Sequence, residues 1–178
     1  MTAHQTMLRF IAARDHGLMR KVNKWPAPKW VRFWAIVATR AGDGWLWYFI
    51  GLAILLFGGE ARLTAIAAAG SAALIGIGIF KLVKNVSGRR RPCEFAPHCW
   101  ATLLPPDRFS FPSGHTITAF SVSVCLAEFY PMLLVPLLFC AFSIAVSRIL
   151  LGMHFLSDVV VGALLGCGMA LISHAAFV

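Results

Sequence analysis

The segment AVSRILLGMHFLSDVVVG (145–162) sets Ser147, Arg148, His154 and Asp158 between two apolar runs. Hydrocarbon penalises such groups by several kcal/mol unless something compensates them, so they either anchor the chain at the water boundary or form a site. His154 and Asp158 are four residues apart and share one face of any helix that carries both. A carboxylate so placed can accept from one imidazole nitrogen, fix the tautomer and leave the other nitrogen free as a nucleophile.

Two more polar clusters interrupt the apolar sequence. KLVKNVSGRRRP (81–92) contains Lys84 and Arg91, and FSFPSGHT (109–116) contains Ser113, Gly114 and His115. Lys84, Arg91 and Arg148 supply permanent positive charge, and the two guanidiniums suit forked hydrogen bonding to phosphate oxygens. Ser113 and Gly114 follow Pro112 at an expected helix N-terminus, where unpaired N–H groups and the helix dipole favour an anion. Glycine there lets an oxyanion approach the backbone. His115, beside this turn, can protonate a departing oxygen. These residue types make a phosphate cradle with its own nucleophile and acid. No cluster of Asp, Glu or Cys offers the shell a catalytic cation wants, so neither a metal nor another cofactor is expected.

In order along the chain, Lys84 to Arg91-Pro92 fits K-x6-R-P, PSGH occupies 112–115, and 147–158 fits S-R-x5-H-x3-D. Together these resemble the three signature motifs of the type 2 phosphatidic acid phosphatase (PAP2) superfamily, in its membrane lipid phosphate phosphatase branch. Any one motif is weak, but three in order are specific. The resemblance implies that His154 forms a phosphohistidine, Asp158 orients it and His115 is the general acid. It implies that Lys84, Arg91, Ser113, Gly114 and Arg148 hold the phosphate, and that water then releases it. The implied substrate is a lipid phosphate: phosphatidic acid, phosphatidylglycerol phosphate, or a polyprenyl phosphate or diphosphate. A lipid phosphotransferase using the same site, and a non-catalytic phosphate-lipid binding protein, are the alternatives. Mere binding would not require the His154–Asp158 pair.

The elements that must carry these clusters are membrane helices. The chain has 178 residues, 59% hydrophobic and only 13% charged, whereas soluble domains carry about 25% charged residues. Five stretches free of charge, near 44–59, 63–80, 109–127, 129–147 and 159–178, predict an all-α bundle of about five spans. Alternating helix direction brings all three polar clusters to one face. Gly162 and Gly166 form a GxxxG, and Ala65–Gly78 is rich in small residues; both predict close helix packing. Residues 1–41 differ: apolar runs interrupted by Lys and Arg predict a basic amphipathic interfacial segment, with 42–178 as the transmembrane core. No signal-peptide core is expected.

The net charge of +9 flanks apolar segments, a pattern of headgroup contact and topology control, so nucleic acid is not expected as a partner. All Lys and Arg except Arg62 fall on or near the motif-bearing face. The positive-inside rule then predicts a multi-pass protein of a bacterial inner membrane with its N-terminus and active site on the cytoplasmic face. Familiar membrane relatives have six spans, and five are expected here. Arg89, Arg90 and Arg108 are expected to meet lipid, either bulk headgroups or that of the substrate. Asp43 reads as a helix border or as a residue at the site mouth. Cys93 and Cys99 flank His98, an incomplete zinc shell; free or loosely paired thiols are expected on a cytoplasmic face, with a loop disulfide as the alternative on an oxidising one. Nothing in the sequence specifies an oligomeric state.

Overall fold

The computed structural model describes residues 3–95 and 108–178. Among these the α-helices are α1 (Ala3–Lys24), α2 (Lys29–Ala41), α3 (Trp45–Phe57), α4 (Arg62–Ser87), α5 (Pro92–Phe95), α6 (Gly114–Phe129), α7 (Leu134–Leu150) and α8 (Leu156–Phe177). A 3₁₀ turn, Pro131–Leu133, leads into α7. Among the described residues three stretches are long and apolar enough to cross a membrane: Arg62–Ser87, Pro131–Leu150 and Leu156–Phe177. Their mean hydropathies are 2.0, 2.2 and 1.9. The protein is a polytopic all-α membrane bundle. The 13 residues of α3 and the 16 of α6 extend about 20 Å and 24 Å, less than the ~30 Å of hydrocarbon.

Helix boundaries depart from the charge-free stretches in ways that build the site. The second stretch, expected to end near residue 80, continues to Ser87 because Lys81 and Lys84 are good helix formers and Gly88, at φ +58°, ends it in a left-handed cap. The added turns carry Lys84 to the polar end of the bundle. α6 begins at Gly114, not 109, because Pro112 and the residue before it disfavour helix. α8 begins at Leu156, so Asp158 falls in its first turn, where a negative charge suits the helix dipole.

The core is a seam of small residues among α4, α6 and α8. Ala65, Ala68, Ala69, Ala72 and Gly76 of α4 are buried. A Cβ on Gly76 would stand 2.7 Å from Ile117 Cγ2, and one on Gly166 would stand 2.6 Å from the Ile117 carbonyl oxygen. Gly162 lies against Ser113 and Thr116 in the same way. In lipid, where no hydrophobic force separates helix from solvent, such close packing and interhelical hydrogen bonds hold helices together. Ser173 Oγ donates to the Ala68 carbonyl at 2.8 Å, and Ser123 Oγ to the Leu137 carbonyl at 3.0 Å. The seam also sets the site, since the Ser113 N–H reaches the Asp158 carbonyl at 3.2 Å and fixes the start of α6 beside the start of α8.

α2 packs along the last turns of α7. Val31, Ala35 and Ala38, at helical spacing, are buried, and Val31 and Ala35 join Leu151 and Met153 in one cluster. Trp30, Phe33 and Val37 on its other face are exposed. The change in composition at residue 41 is therefore not a gap in packing: residues on both sides of it meet around α7.

Candidate active site

The loop between α7 and α8 is shaped by Gly152. Its φ of +66° suits glycine and lets the chain double back, so that the N–H groups of Met153 and His154 both donate to the Arg148 carbonyl, at 3.0 and 3.1 Å. Asp158 Oδ2 accepts the Phe155 N–H at 2.8 Å and closes the loop from the other side. His154 is held between these two constraints.

His154 Nδ1 stands 2.6 Å from the Ser110 carbonyl. A carbonyl only accepts, so Nδ1 carries the proton and Nε2 presents a lone pair. Arg91 Nη1 lies 3.3 Å from that Nε2. The Asp158 carboxylate is 3.7 Å from Nδ1, outside hydrogen-bond reach. The bond expected from Asp158 is thus made by Ser110, with the carboxylate remaining close as a charge. Ser110 is itself fixed, its N–H donating to the Arg89 carbonyl at 2.7 Å and its Oγ to the Arg90 carbonyl at 3.1 Å. An isolated antiparallel bridge pairs Arg90 with Phe109. Burial, and then the positive charges of Arg148 and Arg91, push the His154 pKa well below the ordinary histidine value, against the pull of the Ser110 hydrogen bond. The imidazole is neutral.

Lys84, Arg91, Gly114, His115, Arg148 and His154 line one cavity of about 380 Å³. Ser113 and Asp158 are buried behind it. Each cation is held by neighbours. Arg91 Nη1 donates to the Met153 carbonyl at 2.7 Å, Arg148 Nη1 donates to Thr39 Oγ1 at 2.5 Å, and Lys84 Nζ lies 4.5 Å above the Phe80 ring. His115 Nε2 is 2.8 Å from Asp43 Oδ1. Asp43 therefore sits at the cavity, the second of its two expected positions. Among the described residues no group of three or more His, Cys, Asp or Glu converges in a way that could hold a metal ion. His98 and Cys99 fall outside the described residues, and with them the expectation for that cysteine pair.

Several contributors carry no sequence signal. Ser110 acts through its carbonyl, which any residue would offer. Thr39 lies 109 residues from Arg148. Arg89, expected at the lipid surface, instead bonds Asp158 Oδ1 at 2.6 Å and Asp15 Oδ2 at 2.6 Å.

A second hollow, about 680 Å³, shares Gly42, Asp43, Ile77 and Thr118 with the first. It runs between α3, α4 and α6 and is lined by apolar side chains including Trp47, Leu52, Leu55, Leu74 and Val122. Gly51 and Gly70 leave it open, since a Cβ on either would meet nothing within 4 Å.

The sequence model of the PAP2 superfamily matches residues 46–178. The chain belongs to the PAP2 superfamily. Among curated relatives of this PAP2 protein, a lipid A 1-phosphatase of Rhizobium johnstonii is 30% identical over 100 residues, 54% of this chain and 41% of that one. A decaprenylphosphoryl-5-phosphoribose phosphatase of Mycobacterium tuberculosis is 34% identical over 102 residues, 55% of this chain and 53% of that one. The matched part thus spans about half or less of these relatives' length. Among solved structures, the PAP2-type phosphatidylglycerolphosphate phosphatase of Bacillus subtilis superposes with a TM-score of 0.71 at 21% identity, covering 93% of this chain and 85% of that one. Aquifex aeolicus LpxE superposes with a TM-score of 0.70 at 27% identity, covering 88% and 92%. The PAP2 fold is common to all three. Helices α1 and α2 precede the residues that the superfamily model matches.

Proposed function

We propose that this PAP2 protein removes phosphate from a membrane lipid phosphomonoester or diphosphate through a phosphohistidine on His154, without a metal ion. The observation that carries the reading is the single cavity lined by a neutral imidazole, three cations and a second histidine, opening into an apolar hollow. A soluble phosphate ester needs the first; only a lipid has use for the second.

His154 Nε2 attacks phosphorus in line with the leaving oxygen, forming the N–P bond as the P–O bond breaks. Lys84, Arg91, Arg148 and the Gly114 N–H at the start of α6 stabilise the charge on the equatorial oxygens, while the Ser113 N–H stays on the Asp158 carbonyl behind them. Protonated His115, supported by Asp43, gives its proton to the leaving oxygen. Neutral His115 then takes a proton from water as that water attacks phosphorus, and inorganic phosphate departs with His154 regenerated. Asp158 tunes the loop and the field behind the nucleophile. The named relatives pair phosphatase activity with lipid A, a decaprenyl lipid or phosphatidylglycerolphosphate, in keeping with a lipid phosphate here.

In this reading α3 and α6 complete five crossings, aided by local thinning of the bilayer around short helices. The exposed Trp30, Phe33 and Phe10 bury α1 and α2 in the headgroup region. The site faces the cytoplasm of a bacterial inner membrane, because Arg62, alone among the Lys and Arg residues, begins a helix at the end away from the cavity. A C-terminal alkaline phosphatase fusion would then be active and a fluorescent-protein fusion dark; the reverse pattern contradicts the orientation.

The function is tested by phosphate release from purified protein in detergent, with EDTA present, over a panel of phosphatidic acid, phosphatidylglycerol phosphate, polyprenyl phosphates and glycerol 3-phosphate. Release from a lipid without added acceptor, and little from glycerol 3-phosphate, is expected. Release only with an added lipid alcohol would mark a phosphotransferase, and none at all a binding protein.

A further inference from the structure

The hydrogen bonds behind His154 lead out of the motifs and into α1. Asp15 is buried, although much of α1 around it is exposed. Its Oδ2 accepts from Arg89 Nη2 at 2.6 Å and from Ser157 Oγ at 2.5 Å, and its Oδ1 accepts the Ser157 N–H at 3.1 Å. The second amino group of Arg89 donates to Asp158 Oδ1 at 2.6 Å. Asp158 Oδ2 in turn holds the Phe155 N–H and stands 3.7 Å from His154 Nδ1. Asp15 and His154 also line one small cavity of about 10 Å³. The neighbouring His16 ring packs edge-on against Phe155 at 5.0 Å, and the Arg89 guanidinium lies 4.3 Å over the same ring.

One guanidinium is therefore shared by two carboxylates. A guanidinium left to a single carboxylate binds it through both amino groups. Without the charge of Asp15, Arg89 would turn both of its donors on Asp158 and draw that carboxylate from the Phe155 N–H and from the imidazole. Breaking a buried ion network from one side also leaves an uncompensated charge, a larger disturbance than losing an exposed pair.

We propose that Asp15 is a positioning residue for phosphoryl transfer: by occupying one side of Arg89 and gripping the first turn of α8 through Ser157, it sets where Asp158 and the His154 loop stand. It lies outside the residues matched by the superfamily model, so α1 supplies part of the support for a nucleophile carried by the conserved-fold core. The proposal rests on the phosphatase reading above. It differs from a simple docking role for α1 in what it predicts for turnover: the phosphate cradle is built from residues that Asp15 does not touch, so binding and chemistry should separate.

The test is steady-state kinetics of full-length Asp15→Asn in detergent, with vanadate as a phosphate mimic and thermal unfolding measured alongside. A kcat loss on the order of tenfold is expected, with KM and the vanadate inhibition constant within twofold of wild type. Arg89→Gln should lose kcat likewise, and the double variant should lose no more than the worse single one, because both act through one relay. Should Asp15→Asn fail to fold, Ser157→Ala carries the test, with a kcat loss of about threefold at unchanged vanadate inhibition. Wild-type kcat in the variant that folds, or losses of kcat, KM and vanadate inhibition together in step with the unfolding temperature, would overturn the proposal. His154→Ala is the control. If it stays active the phosphatase reading itself falls, whereas an inactive His154→Ala beside a fully active Asp15→Asn removes only the role of Asp15.

Discussion

The site has two walls of different character. One is made by α4, the segment after it, α6, α7 and the loop before α8, within the family-matched region, and presents the groups that would touch phosphate: Lys84, Arg91, Gly114, His115, Arg148 and His154. The other comes from α1, α2 and the turn after it, and works at one remove. Thr39 supports Arg148, Asp43 supports His115, and Asp15 supports Arg89. The first wall is specified by chemistry, so residue types are narrow and spacing is tight. The second is specified by reach, so a hydroxyl or carboxylate arriving from any element would serve. The lesson is that the motifs hold the groups that would touch the ligand and their nearest supports, such as Asp158, while support reaching in from α1 and α2 leaves no motif.

Substitutions in the two walls sharpen that contrast, beginning with the largest effect. Arg148→Ala removes a cradle cation and should reduce kcat/KM by about 10²–10³-fold, from the loss of transition-state charge stabilisation of roughly 3–4 kcal/mol. A loss under tenfold would place Arg148 outside the cradle. Thr39→Val, nearly isosteric, removes only the hydroxyl that holds Arg148 and should cost about three- to tenfold, the worth of one supporting hydrogen bond. If Thr39→Val equalled Arg148→Ala, the division into contacting and supporting walls would fail.

The smallest effect concerns pH. Burial and the charges of Arg148 and Arg91 lower the His154 pKa, so its attacking, neutral form persists as pH falls through the ordinary histidine range. The acid limb of kcat/KM assigned to His154 should accordingly lie below pH 6.5, and Arg148→Ala should move it upward by removing one repelling charge. A limb above the ordinary value, or a downward shift in the variant, would contradict the neutral nucleophile.

The close packing of the seam is legible in the sequence, and the apolar hollow beside the cavity is not. Gly162 and Gly166 announced close packing, and the structure gives them the α6 backbone as partner. The three motifs announced their convergence because helices alternate direction, and one cavity gathers their side chains. Helix ends were less legible. The charge-free stretch stops before Lys81, yet α4 continues to Ser87, since a lysine at the membrane surface interrupts hydropathy without interrupting a helix. The tautomer of His154 was not legible either: a spacing of four made Asp158 the natural partner, while the acceptor is a main-chain oxygen 44 residues away. Sequence pattern reports side-chain chemistry and periodicity; it is silent on where a carbonyl points.

The most direct measurement is of the covalent intermediate. Purified protein mixed with a ³²P-labelled lipid phosphate and quenched in base should carry label that is stable to base, labile to acid and located on His154, and His154→Ala should carry none and lose at least about 10³-fold in turnover. Turnover that continues in His154→Ala, or label mapped to another residue, would contradict the account.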